Sequence, residues 1–272
     1  MSSLKRRIGI TLVSFAVDPR RVFGSLRFVP GYLADLVRWS RSASRGETRE
    51  FPLRLLPTLS DKYSASGTAS GHYFHQDLWA ARLIHAHSPK RHVDVGSRID
   101  GFIAHLLCFR RVEVLDIRNL TSNVAGLTFR QADLMSEQAI AIEPAESVSC
   151  LHALEHFGLG RYGDPLRPTG WRTGLQHLSE LVTPGGRLYL GVPIGQPAVE
   201  FNAQRIFHPQ YILDEAARHG LGLKAFAYVD DFGNYTELQS PLSAHDLIRL
   251  CALEYGCGLF LFDKAPAAGG TA

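Results

Sequence analysis

A chain of 272 residues with 45% hydrophobic and 20% charged residues can bury one large core, or a core plus an extension, which sets aside fibrous, low-complexity and disordered classes. A formal net charge of +3 is too small to argue for nucleic acid, and none is expected as a partner. Four cysteines (Cys108, Cys150, Cys251, Cys257) lack Cys-x-x-Cys spacing, and three lie in apolar runs, which argues against a disulfide framework or a zinc site and for reduced thiols in the cytoplasm.

Lys5-Arg6-Arg7 ahead of the apolar run 8–17 has the look of a secretory signal. The run is too short to cross a bilayer, and Asp18-Pro19 follows where a cleavage site would stand. It is expected to pack on the domain as a strand or helix, or to lie as an interfacial anchor. Residues 1–71 read as a basic extension in which Arg20, Arg21, Arg27, Arg38, Arg41, Arg45, Arg49 and Arg54 alternate with aromatics, and a helix is expected through Tyr32 to Trp39. Such a face is either solvated or suited to an anionic lipid surface or a phosphorylated substrate, so peripheral contact with the inner face of the membrane is one expectation. Serine and glycine between 60 and 72 mark a loop.

Apolar spacing through Leu78, Trp79, Leu83 and Ile84 predicts a helix ending near Ser88-Pro89. At its start, His75, Gln76 and Asp77 either reach a pocket, or Asp77 caps the helix. Next comes a strand with Val93 and Val95, a turn with Gly96 and Gly101, and a helix from Phe102 to Leu107. Strand, glycine turn and helix make the nucleotide-binding corner of a doubly wound sheet. A dinucleotide needs a middle glycine so that its pyrophosphate can rest on backbone, but that position holds Arg98. S-adenosylmethionine (SAM) carries no pyrophosphate, and an arginine there is able to pair with its carboxylate. Asp94, Gly96, Ser97, Arg98 and Gly101 are therefore the expected cofactor contacts of the turn.

The second strand, 112–118, ends in Asp116 and Ile117; Asp116 lies twenty residues beyond Gly96, where a carboxylate accepts from both ribose hydroxyls. A third strand, 128–134, brings Asp133 and Leu134 to the expected adenine edge. The fourth, 147–152, opens into a polar loop holding His152, Glu155, His156 and Asp164, where such sheets place their chemistry. A helix over 170–181, a fifth strand over 187–193, a helix starting at Pro209 and strands at 223–229 and 258–262 complete the pattern. The last two are expected to pair across an insertion at 230–256, with a flexible tail at 265–272. The fold class is thus α/β: a doubly wound, seven-stranded, mostly parallel sheet over 72–264, with an N-terminal extension.

Asp94-Val95-Gly96, Asp116, Asp133, Leu154-Glu155-His156 and the run Leu181 to Gly186 together resemble the class I SAM-dependent methyltransferases, over about residues 75–264. More closely, the runs 72–78, 92–102 and 150–164 resemble DUF268, a bacterial family of unknown function whose genes the resemblance associates with surface polysaccharide synthesis. The chain departs from the methyltransferase glycine pattern, since Arg98 and Asp100 fill two glycine positions and Gly101 comes one place late. The resemblance implies SAM as cofactor and O-methylation of a saccharide hydroxyl. A non-catalytic module serving as a scaffold in glycan synthesis is the alternative. His156 is the first choice as base, because an imidazole titrates near neutrality. His152 (also placed at the cofactor), Glu155 and Asp164 are its alternatives or orienting partners, and Asp164 beside Arg161 and Tyr162 equally suits a substrate clamp. No metal is expected; His152, Glu155 and His156 would favour an ion softer than magnesium. Tyr235, Asp230 and Asp231 are placed on the acceptor side.

Overall fold

The structure, a computed structural model, describes residues 26–42, 53–59, 61–136 and 142–266. The chain divides into two units, Met1–Thr68 and Ala69–Ala272. In the first, α1 (Val29–Ser42) spans the helix expected through Tyr32 and Trp39, and buries none of its residues. The apolar run at 8–17 and the tail beyond residue 266 lie outside the described residues. Among those described, no helix is long and apolar enough to cross a membrane.

The second unit begins with α2 (His72–His87) and β1 (His92–Val95). A π-helical turn, Ile99–Ile103, runs into the short α3 (Ala104–Leu107). Then follow β2 (Val112–Asp116), β3 (Leu127–Gln131), β4 (Ala145–Leu151), α4 (Gly170–Leu181) and β5 (Val182–Ile194). A small hairpin of β6 (Ala198–Glu200) and β7 (Gln204–Ile206) leads to α5 (Pro209–Arg218). β8 (Leu221–Val229), β9 (Tyr235–Leu238), α6 (Ala244–Cys251) and β10 (Gly256–Lys264) complete the fold. The strands form one sheet in the order β3-β2-β1-β4-β5-β10-β8-β9. β3 to β5 run parallel, and β10 lies antiparallel between β5 and β8, pairing the last two predicted strands as expected.

The sheet has eight strands, not seven. The extra one, β9, lies in the stretch read as an insertion and pairs antiparallel with β8. Its four residues are all exposed or half-buried, so they carry no apolar alternation for a sequence reading to catch. The tight turn before it is built by Asp230, whose carboxylate accepts from the amides of Phe232 and Asn234. α6 occupies the same stretch, capped reciprocally by Ser243 and Asp246.

Helices cover both faces of the sheet. On one, Trp79, Ile84, Phe102 and Leu106 from α2 and the α3 region pack on β2 and β10. On the other, Leu175, Leu178, Ile212 and Leu250 from α4, α5 and α6 pack on β1, β4 and β5. β1 is buried along its whole length, yet it carries His92 and Asp94. The His92 ring lies between Ser147 Oγ (2.7 Å) and Ser149 Oγ (3.0 Å) on β4. Ser149 in turn donates to Asp94 Oδ1 at 2.5 Å.

Burial drives the His92 pKa down to about 3. It drives Asp94 up to about 6, against the hydrogen bonds from Ser149 and Ser97. The stability that His92 contributes is therefore present above its ordinary value of 6.5 and fades as pH falls toward 3. That of Asp94 is full below 3.8 and fades as pH rises through 6. Between these limits the two slopes oppose and offset one another. His92→Gln removes one of them, so the variant should gain on the native protein by about 1.4 kcal/mol per pH unit as pH falls from about 6 to about 4. Urea melts across that range measure the difference; parallel curves would mean that His92 takes up a proton in the folded state.

Candidate active site

A cleft of about 520 Å³ opens at the carboxyl ends of the parallel strands. Gly96 lines it after β1, Asp116, Ile117 and Arg118 after β2, Asp133 and Leu134 after β3, and His152, His156, Tyr162 and Asp164 after β4. Gly96 has φ +71°, and a Cβ there would stand 2.8 Å from Ala153 Cβ, so both the turn and its closeness to the β4 loop require glycine.

The other residues of the turn lie behind or beside this cleft, a correction to the expectation that all of them face it. Asp94 is fully buried and accepts from the Ser97 amide (3.0 Å) and hydroxyl (2.6 Å). Ser97 Oγ receives the Leu151 amide at 3.1 Å, stitching the turn to β4. Arg98 lies over the Tyr73 ring at 4.7 Å and pairs with Asp100 at 3.3 Å, facing a second hollow that shares Asp116 and Arg118 with the first. Gly101 is glycine for a packing reason: a Cβ there would meet Asp77 Oδ2 of α2 at 2.7 Å. Asp77 is buried and does not cap α2, whose cap is Gly71. Gln76 is buried beside it, and His75 stacks on Tyr235 with ring centres 5.5 Å apart.

Asp116, at the end of β2, lines the cleft but is not free. Arg118 holds it through Nε to Oδ1 (3.0 Å) and Nη2 to Oδ2 (2.6 Å), and the guanidinium lies 4.4 Å over the Tyr162 ring. Asp133 Oδ1 accepts the Met135 amide at 2.8 Å, and the carbonyl of the buried Leu134 receives His177 Nδ1 at 2.5 Å.

Beyond β4 the backbone turns sharply at His152, φ +52°. Its Nδ1 lies 2.7 Å from Glu155 Oε1, and the same oxygen is 3.7 Å from His156 Nε2. Burial opposes charge on His152, but Cys257 and Glu155 beside it prevail and hold its pKa well above the ordinary value. Burial likewise works against the Glu155 carboxylate, yet His152 keeps it ionised below its usual range. His156 differs: burial lowers its pKa, with Arg161 adding to the effect. Its Nδ1 sits 2.7 Å from the Ala203 carbonyl. A carbonyl only accepts, so Nδ1 carries the proton and Nε2 presents a bare lone pair.

Asp164 organises the loop. Its oxygens accept the amides of Gly158 (2.8 Å), Gly160 (3.2 Å) and Tyr162 (3.2 Å). A second anchor had no sequence signal beyond a lone arginine in an apolar stretch. The buried Arg205 of β7 donates to the carbonyls of Glu155 (3.2 Å), Phe157 (2.6 Å) and Pro168 (3.1 Å). Asp230 builds the turn before β9, and Asp231 ties that turn to the segment ahead of β10 by accepting the amides of Glu254 and Tyr255 at 2.9 and 2.7 Å.

With this geometry in view, the family described as "Caenorhabditis protein of unknown function, DUF268" matches residues 112–255. No curated protein matches the chain. Among solved structures it is similar to the 1,6-didemethyltoxoflavin-N1-methyltransferase of Burkholderia thailandensis, bound to 1,6-didemethyltoxoflavin and S-adenosylhomocysteine, at a TM-score of 0.50 and 14% identity over 87% of this chain and 91% of that one. It is also similar to the N-methyltransferase NodS of Bradyrhizobium japonicum WM9 in complex with S-adenosylhomocysteine, at 0.49 and 14% over 71% and 88%. An O-methyltransferase family protein of Burkholderia thailandensis matches at 0.42 and 11% over 76% and 67%. At such identities the likeness is one of fold.

Proposed function

Starting from a chain that belongs to the DUF268 family and folds as a class I methyltransferase, we propose that it is a SAM-dependent O-methyltransferase acting on a hydroxylated, saccharide-like acceptor. The observation that carries this reading is the convergence on one cleft of the Gly96 turn, Asp116 and Asp133 from three neighbouring parallel strands. The cradle suits adenosine and an amino-acid tail: backbone without a side chain at Gly96, and acids ending the next two strands. Asp116 would take the ribose hydroxyls, Asp133 the adenine amino edge and the Gly96 turn the tail. Bound there, SAM would supply an electrophilic methyl group on a sulfonium, which leaves the chain to orient the acceptor and take up its proton.

His156 is built for that proton. Its Nε2 is the bare nitrogen, its ring is fixed by the Ala203 carbonyl, and Glu155 Oε1 at 3.7 Å stands ready to balance the imidazolium. The resemblance to a family associated with surface polysaccharide synthesis directs the choice of acceptor to a sugar hydroxyl. A cytoplasmic site with the basic N-terminal residues near anionic lipid would suit such an acceptor. The alternative, a non-catalytic scaffold, is favoured by one observation: Arg118 occupies the Asp116 carboxylate. Calorimetric titration with S-adenosylhomocysteine decides between them. Saturable binding at one site per chain is expected, and no heat at millimolar ligand would favour the scaffold.

A further inference from the structure

His72 opens α2, His152 follows β4, and Cys257 lies at the start of β10, paired with Pro193 and Val229 at the ends of β5 and β8. The topology thus brings all three to the sheet edge where the cleft opens. One donor atom from each lies within 4.8 Å of the others. The tautomers are fixed by their neighbours. His72 Nε2 is 3.1 Å from the Tyr255 carbonyl, which only accepts, so Nδ1 is the bare nitrogen. His152 gives Nδ1 to Glu155, which leaves Nε2.

That Nε2 is the second and independent observation. His152 is only 9% exposed, and among the described residues its buried Nε2 meets no partner other than the Cys257 thiol of the same cluster. A coordinated cation would give that buried lone pair a partner. The two rings lie within 7° of parallel with centres 5.3 Å apart. An ion bound to both imidazoles lies in each ring plane, so these stacked rings would turn toward it on binding. Donor atoms around such an ion stand about 3.3–3.7 Å from one another, so the three would draw in by about 1 Å.

We propose that His72, His152 and Cys257 bind a borderline-soft divalent cation, zinc by their donor set, with a fourth position left for water or a heteroatom of the acceptor. Two nitrogens and one sulfur are zinc ligands, and three protein ligands with an open position are the arrangement of catalytic zinc. The outer groups fit as well. Glu155 behind His152 reproduces the carboxylate–histidine–metal arrangement, and the Tyr255 carbonyl orients His72 while Asp231 holds the Tyr255 amide. The site goes beyond methyl transfer and does not require it. It departs from the expectation that no metal is bound: Cys257 has no cysteine at ligand spacing, and its partners come together only through the sheet.

The test is a titration of the full chain, stripped with chelator, with Co²⁺. One equivalent per chain should raise a thiolate-to-cobalt charge-transfer band and intense tetrahedral ligand-field absorption, both abolished by one equivalent of Zn²⁺. Cys257→Ser should lose the charge-transfer band, and His72→Gln should weaken Co²⁺ binding by about 100-fold or more, at least as much as loss of an outer-shell partner. Circular dichroism reports whether each variant folds. If neither does, the spectrum of the native chain decides. Absence of a thiolate band in the native chain, or its persistence in folded Cys257→Ser, overturns the proposal. S-adenosylhomocysteine binding by the same stripped protein separates a failed metal site from a failed cofactor site.

Discussion

Replacing His156 with alanine should lower methyl transfer by about 10²–10⁴-fold, the usual contribution of a positioned general base. S-adenosylhomocysteine affinity should stay within about threefold, because a proton acceptor works on the barrier and not on the bound ligand. The expectation rests on the division of labour at the end of β4. His152 is locked to Glu155 at 2.7 Å, Asp164 is committed to three amides, and His156, its pKa lowered by burial, turns its Nε2 lone pair to the cleft. Transfer of tritiated methyl from SAM into a bacterial glycan extract reads the rate, and calorimetry reads the affinity. A folded variant that loses both in equal measure would make His156 a binding residue.

Asp116→Ala should weaken S-adenosylhomocysteine by about 10–100-fold, since a hydrogen bond to a charged group is worth about 1.5–3 kcal/mol. Here the ligand must also displace Arg118, whose side chain is half exposed and whose pair with Asp116 is worth about 0–1 kcal/mol. Arg118→Ala therefore acts in the opposite direction, tightening the ligand by up to about fivefold. Calorimetry on both variants gives the sign. If Asp116→Ala binds as well as the native chain, the ribose is held elsewhere and the cofactor reading loses its main support.

Legibility in the sequence followed the range of the interactions involved. β1, its glycine turn and Asp116 are local or nearly so: alternating valines, a glycine forced by φ +71° and an acid at fixed distance all appear in the residue order. The central parallel strands carry apolar runs, whereas β9 has only four residues, none buried, and leaves no such mark in the residue order. The late Gly101 looked like a damaged cofactor motif, but its cause is Asp77 on a different helix, which no reading of the turn itself reveals. Asp164 stands out in the residue order only as an acid in the polar loop after β4. Its three amide partners depend on the folded path of that loop. The hold of Arg118 on Asp116 is local, but the Tyr162 ring above it comes from beyond β4.

The placement of β10 bears on how the chain comes to be folded in a cell. Residues 256–264 fill the slot between β5 and β8, so the sheet has no continuous middle until they arrive. During synthesis the parallel strands can assemble early, while the long apolar rim of β5 stays open until residues 256–264 have been made. Such a rim invites association with other nascent chains. Ribosomes that stall ahead of residue 256 should accordingly release products that depend on chaperones, although every residue of the cleft described above has already been made.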